Sequence, residues 1–567
     1  MVKKILCSML ALILLISCVA CGNGEIKDAT EKQLQKYNFS AAANGTSQVL
    51  TWDNGADLKT VEVESYHGNQ KLGEAGTDGA DGTMTCAGNY GKIMLKIVAT
   101  PNSGKPFKVT LDATASADKY VIAPISGSMP QLYFTLNMTE ITDDGQIPTY
   151  VWLARPDSWN WNNLPDGVRP MPIATIDEVL THNNYDRMME VTKAYIAELH
   201  EINPDAVFDL YINDFNAYAY VDLLIGNGIP EENFYVTLLS DGGASYTAFN
   251  AAFNPDDENF DADAKYTEMA ANLDKVYDEV KTAGGYTVDG KYTVSTDEFT
   301  QYAYVAAKAK TNVEWWVLRP RAGVLCSPDQ EFIDRVLKEE VSKAPYDAAN
   351  SIIEERNFAA PLTAMNDEQK AALKSLYNFN GELFEQAETE GKKAMMILGS
   401  WATAENEPDF AAYVKIVKLI YGDEFVYYYK GHPNTPTSTV PEKQTQLKEL
   451  DLIDVESSIN AELILFFYPD IYMCGYNSST FMSVESEEMA CAIFNMTKAA
   501  AAENEGMENY RDLIGLYLSA IEDTSLYAEC TEADHDYFLI EYNNTESDLQ
   551  YSIYDATANE IIDGPKA

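Results

Sequence analysis

The chain has 567 residues, too many for one ordinary hydrophobic core, and 46% of them are apolar, which argues for two or three folded domains. Its 88 acidic and 40 basic residues give a formal net charge of −48. Such a surface repels nucleic acid and anionic headgroups, which argues against a DNA- or RNA-binding role and means that any anionic ligand needs a local basic pocket.

Residues 1–21 read as a lipoprotein signal peptide. "MVKK" gives a positive start and "ILCSMLALILLI" an apolar core of twelve residues, too short to span a bilayer. "SCVACGNGE" then sets small residues before cysteine, as in a bacterial lipobox. Cys21, after Val19-Ala20 and before Gly22, is the expected lipidation site, with Cys18 as the alternative. The expected protein is exported, anchored to the bacterial membrane by its lipid and facing outside the cytoplasm; plain secretion is the other reading. Cys86, Cys326, Cys474, Cys491 and Cys530 remain, and none has CxxC spacing, so no zinc site is expected.

Residues 36–140 read as a small all-β, sandwich-like domain. "TVEVESY", "KIMLKIVA", "PFKVTLDA", "KYVIAPI" and "LYFTLNM" are strand-like runs separated by Gly, Asn and Asp clusters. "EITDDGQIP" (Glu140 to Pro148) reads as a linker. Beyond it the texture alternates between strands and helices. "TYVWLA", "AVFDLYI", "FYVTLL", "AMMIL", "FVYYY" and "ELILFF" continue the strand pattern, while Met188, Val191, Tyr195 and Leu199 mark one helix face and Phe410, Tyr413, Val414, Val417 and Ile420 another. This predicts parallel sheets covered by helices, in two Rossmann-like domains over 149–360 and 361–540 that join near Asn357 to Gln369, with 541–567 as a C-terminal tail.

Open parallel sheets bind ligands beyond the carboxyl ends of their strands, so those positions are the candidates. Asp241-Gly242 follows "FYVTLL" and could supply a general base, although Asp-Gly is also a common turn. Trp401 follows "AMMIL" and could stack on a sugar or fill a core. Lys430-Gly-His432-Pro follows "FVYYY": a point charge for a phosphate or carbonyl beside one of only five histidines. Ser478 and Ser479 could cradle a phosphate at a helix start or simply cap it, and Glu462 could hold ribose hydroxyls or lie on a helix surface. Together these suit a nucleotide-linked donor bound between two domains, with a base facing an acceptor.

On "LLSDGGASY", "LTAMNDEQKAALKSLYNFNGELFEQ", "ILGSWATAEN", "YYYKGHP" and "INAELILFFYPDIYMCGYNSSTF", the chain resembles the bacterial sialyltransferases of glycosyltransferase family 80. The likeness is clearest over about 205–485 and leaves out the β-rich region. It implies a metal-independent, two-domain enzyme of the GT-B type, without a cofactor, that moves sialic acid from CMP-sialic acid to a galactose-terminated glycan. Asp241 would be the base, His432 would assist phosphate departure, and Ser478 and Ser479 would bind that phosphate. Glu462 would hold the ribose, Lys430 the cytosine side, Trp401 the acceptor, and Asn213 of "YINDFN" would line the sialic acid site, with Asn216 where relatives often carry histidine. Ser240 replaces the first of two acids usual before the glycine, Gly243 replaces a serine, and Asn-Thr-Pro follows "KGHP" in place of glycines. Two other readings stay open: a non-catalytic glycan- or nucleotide-binding lipoprotein, and a transferase for another CMP-linked sugar acid.

Overall fold

The computed structural model describes residues 26–242, 259–283, 312–318, 344–379, 381–399, 422–433, 435–468 and 471–475 and four later strands, with single positions between (245, 248–249, 252–253, 338, 407, 410–411, 414, 417–418 and 480). Cys18, Cys21, Trp401, Ser478 and Ser479 lie outside the described residues. Contacts divide the chain into two compact units, the first made mainly of residues up to Ala117.

The first unit is all β apart from short helices. Its strands are β1 (Lys27–Asp28), β2 (Ser40–Asn44), β3 (Ser47–Thr51), β4 (Leu58–His67), β5 (Gln70–Asp78), β6 (Thr83–Ala87), β7 (Gly91–Pro101) and β8 (Phe107–Ala115). They form a five-stranded sheet, β1-β8-β7-β4-β5, and a three-stranded sheet, β2-β3-β6. All pairs are antiparallel except β1 with β8. Alternation along β7 turns Ile93, Leu95, Ile97 and Ala99 inward, where they pack with Leu50, Val61 and Val63. Full burial of each larger aliphatic side chain contributes about 1.5–3 kcal/mol, which closes this core.

The second unit contains two parallel sheets. Strands β9 (Lys119–Ile125), β10 (Thr149–Leu153), β11 (Val168–Pro170), β12 (Val207–Asn213), β13 (Phe234–Leu239), β14 (Val313–Val317) and β15 (Ile353–Glu355) lie in the order β11-β10-β9-β12-β13-β14-β15, every neighbour parallel. This is doubly wound, Rossmann-type order, and its switch point lies between β9 and β12. Every residue of β10 is buried, as expected of a parallel strand covered on both faces.

The second sheet repeats the scheme. Strands β16 (Lys393–Leu398), β17 (Phe425–Lys430), β18 (Ile453–Val455), β19 (Tyr472–Gly475) and β20 (Cys491–Thr497) pair in parallel as β18-β17-β16-β19-β20, with the switch between β16 and β19. Antiparallel strands β21 (Tyr537–Asn543), β22 (Asp548–Asp555) and β23 (Glu560–Asp563) extend it, so the segment read as a tail carries sheet. Met395, Ile397, Tyr427, Tyr429, Val414 and Val417 fill one core beside it. Between the sheets, α1 (Asp367–Leu376) starts at a capping box of Asn366 and Gln369. Just after it, Tyr377 Oη donates to Thr135 Oγ1 at 3.0 Å, and Leu376 O accepts from the Asn160 amide, seating the crossover on the first half.

Three expectations change. "KYVIAPI" is a strand, but as β9 it joins the parallel sheet at its centre rather than the antiparallel β region. "LYFTLNM" is helical: Leu132 to Leu136 lie within α2 (Ser128–Leu136), Asn137 caps it, and Met138 opens a further short helix. Met129, Leu132, Tyr133 and Leu136 fall at helical spacing, and nearly the whole helix is buried, so its all-round apolar character imitates a core strand. "ELILFF" is likewise helix, α3 (Ala461–Phe467), because a short apolar run does not separate strand from buried helix. The helix faces fare better: Met188, Val191, Tyr195 and Leu199 are all buried, as are Phe410, Val414 and Val417, while Tyr413 and Ile420 lie outside the described residues.

Candidate active site

Several of the candidate residues lie at strand ends near the first switch point and at the end of β17, next to the second. At the first, the chain leaves β9 through Ser126 and Gly127, whose φ of +89° lies in the region that favours glycine. A Cβ there would lie 2.6 Å from Asp241 Oδ1 and 3.1 Å from Asn213 Nδ2, so the absent side chain makes room for both. Asn213, at the end of β12, donates from Nδ2 to Ser126 O at 2.9 Å and accepts from the Phe215 amide at 2.7 Å. It also hydrogen-bonds to Asp241. Asn216 Nδ2 reaches Ser126 Oγ at 3.1 Å.

Asp241 stands just past β13, with its amide donating to buried Ser245 Oγ at 2.7 Å and Gly242 turning the chain at φ +69°. Burial raises the Asp241 carboxyl above the usual carboxylate range, while the Arg155 charge and the Asn213 hydrogen bond oppose the shift. That moves the group toward the range useful to a general base. Ser240, where the resembled family has an acid, is fully buried and donates to Tyr133 Oη at 3.1 Å. The serine thus serves packing in a place where a second carboxylate would be desolvated.

The second half supplies cations and a carboxylate. Lys430, the last residue of β17, is 4% exposed and donates from Nζ to Gly431 O (2.8 Å) and Ser457 O (2.9 Å). Burial lowers its pKa to about 8, with Glu462 opposing and Arg155 adding to the shift. His432 is partly buried, and burial, then Arg155 and Lys430, push it down to about 4. It is therefore neutral at pH 7. Glu462 lies in the first turn of α3, and burial raises its carboxyl against hydrogen bonds from its own backbone and Thr480 and the charge of Lys430.

The residue that joins these groups is Arg155, two positions past β10. Nη1 donates to Ser128 Oγ at 2.6 Å, and Nε is buried without a hydrogen-bond partner. Its charge is felt by Asp241 on its own half and by Lys430 and His432 on the other. Its signal in the sequence is its place just past the strand-like run "TYVWLA". Arg155 lines a cleft of about 530 Å³ with Ser128 and Gln131 on one side and Pro433, Thr437 and Ser457 on the other. Asn213, Asp241, Gly242, Lys430 and His432 lie at or just past the carboxyl ends of β12, β13 and β17, and Glu462 lies in the helix that follows β18; none of the six is among the residues lining that cleft. Among the described residues, no group of three or more His, Cys, Asp or Glu side chains could hold a metal ion.

No family model matches the chain, and no curated protein matches it by sequence. Solved structures do match. A 2,6-sialyltransferase of Photobacterium sp. JT-ISH-224, crystallised with the donor product CMP and the acceptor lactose, is 13% identical with a TM-score of 0.50, over 81% of this chain and 88% of that one. The likeness is one of fold. A sialyltransferase of Photobacterium damsela is 14% identical over 85% of this chain and 96% of that one (TM-score 0.49). A galactoside α-2,3-sialyltransferase of Photobacterium phosphoreum is 13% identical over 66% and 89% (TM-score 0.44).

Proposed function

We propose that the chain is an inverting sialyltransferase of glycosyltransferase family 80, with CMP-sialic acid as donor and a galactose-terminated glycan as acceptor. The observation that supports this reading is that the charge of Arg155 acts on a partly buried carboxylate at the end of a strand of the first sheet and on a lysine and a histidine of the second. Asp241 takes the proton of the acceptor hydroxyl as its oxygen attacks the anomeric carbon. The bond from that carbon to the phosphate oxygen breaks, and CMP leaves with the electron pair. Arg155, His432 and, outside the described residues, Ser478 and Ser479 meet the charge on phosphate and carboxylate. Lys430 acts by fixing the Gly431 and Ser457 carbonyls beside the base, while Glu462 takes the ribose and Trp401 the acceptor. Preorganised charge in a desolvated cleft supports such a step without a metal. The test is incubation of the chain from residue 26 onward with CMP-sialic acid and lactose, with and without EDTA. Sialyllactose unaffected by EDTA is expected. Nucleotide binding without product would favour a binding protein, and product only from another CMP-linked sugar acid would change the donor.

The N-terminal segment adds a second proposal: Cys21, or Cys18 in its place, carries a diacylglyceryl anchor that holds the enzyme on the outer side of a bacterial membrane. The support is the sequence "SCVACGNGE" alone. Radiolabelled palmitate should enter the full-length chain and be lost in Cys21→Ala; labelling that persists there and disappears in Cys18→Ala moves the site, and no labelling of the wild type ends the idea.

A further inference from the structure

A buried charge pair beside β16 and β17 has no part in the chemistry above. Glu407 and Lys443 are both buried, with Lys443 Nζ 2.5 Å from Glu407 Oε2. Tyr429 Oη donates to Glu407 Oε1 at 2.8 Å, and Lys443 Nζ stands 3.5 Å from the centre of the Phe410 ring and 5.4 Å from that of Tyr429. A pair of this kind is a poor device for stability, because desolvation of two charges offsets their attraction and apolar side chains of similar volume would pack as well. What singles it out is its position. Tyr429 immediately precedes Lys430 in β17. Gly399 immediately follows β16, and its amide donates to Lys430 O at 2.9 Å. A Cβ on Gly399 would collide with both Tyr429 Oη and Glu407 Oε1. Lys443 lies on the helix Pro441–Glu449, which follows the loop bearing His432.

We propose that the Glu407–Lys443 pair is a positioning element: through Tyr429 and Gly399 it locks the ends of β16 and β17 to each other and to the Pro441–Glu449 helix, and so sets where Lys430 and His432 stand. The atoms those two residues then meet follow from the sialyltransferase reading. The network itself does not depend on it. A buried, charge-assisted bond has one good geometry, whereas apolar contacts tolerate sliding, and a displacement of about 1 Å near reacting groups can cost on the order of a hundredfold in rate.

The test uses the double variant Glu407→Gln/Lys443→Met, which removes both charges together and avoids leaving one buried alone. Expected are an unchanged or higher Tm, faster hydrogen exchange at the Gly399 amide, and a donor KM raised about tenfold or more with a smaller change in kcat. Glu407→Asp, which keeps the charge, should recover part of the KM. A folded double variant with wild-type exchange at Gly399 and wild-type KM overturns the proposal. If the wild type transfers no sugar, the functional reading fails and the exchange at Gly399 still decides this one.

Discussion

Asp241→Asn lowers the rate of sialyl transfer by roughly 10²- to 10⁴-fold, the span usual for loss of a general base, and leaves nucleotide binding nearly intact. The amide is isosteric, so Gly127 still accommodates it and Asn213 still has a partner. Only the capacity to accept a proton goes. Initial rates with lactose, beside calorimetric titration with CMP, separate the two effects; near-normal turnover would remove Asp241 from the mechanism. The pH profile gives a second check. Burial holds the Asp241 carboxyl up and Arg155 holds it down. The base works only when ionised, so activity falls on the acid side of its pKa. Arg155→Met removes the opposing charge, the pKa rises, and the acid limb of the profile should move to higher pH. A limb that stays put in Arg155→Met would assign it to another group.

The strand-end rule made much of this site legible in the sequence because the two sheets have the order that rule requires. Asp241 and Lys430 sit where alternating strands and helices place them, just past or at the ends of β13 and β17, whereas Asn213, at the end of β12, was singled out only by the family resemblance. Arg155, two positions past β10, is equally a strand-end residue, but its importance was not legible, because only folding brings its charge to bear on Lys430 and His432 of the other sheet. The helical state of Leu132–Leu136 and Ala461–Phe467 was illegible for a different reason: each is a short, mostly apolar and largely buried run, and such a run does not by itself tell helix from strand. Ionisation states were beyond the sequence altogether. That His432 is neutral depends on burial and on Arg155, which only the folding of the two sheets brings within its field.

That neutrality decides how the histidine works. With a pKa of about 4, His432 has no proton to give a leaving phosphate at pH 7. A bound donor changes the balance: burial and then Arg155 and Lys430 hold the pKa down, the phosphate sets a negative charge against the two cations, and the imidazole gains affinity for a proton as that charge grows during bond cleavage. The pH dependence of kcat/KM, which reports the free enzyme, should therefore lack a histidine limb near neutrality, while that of kcat, which reports the complex, should show one. His432→Ala should lower kcat by on the order of a hundredfold with little change in donor KM, because its contribution lies in the transition state. Lys430→Ala should do the reverse. Nζ fastens the Gly431 and Ser457 carbonyls, so its loss loosens the nucleotide side of the cleft and raises KM first. Steady-state kinetics of both variants against CMP-sialic acid test the division. If His432→Ala raised KM and left kcat intact, the histidine would be a binding residue, and the charge on the departing phosphate would fall to Arg155 and the donors beyond it.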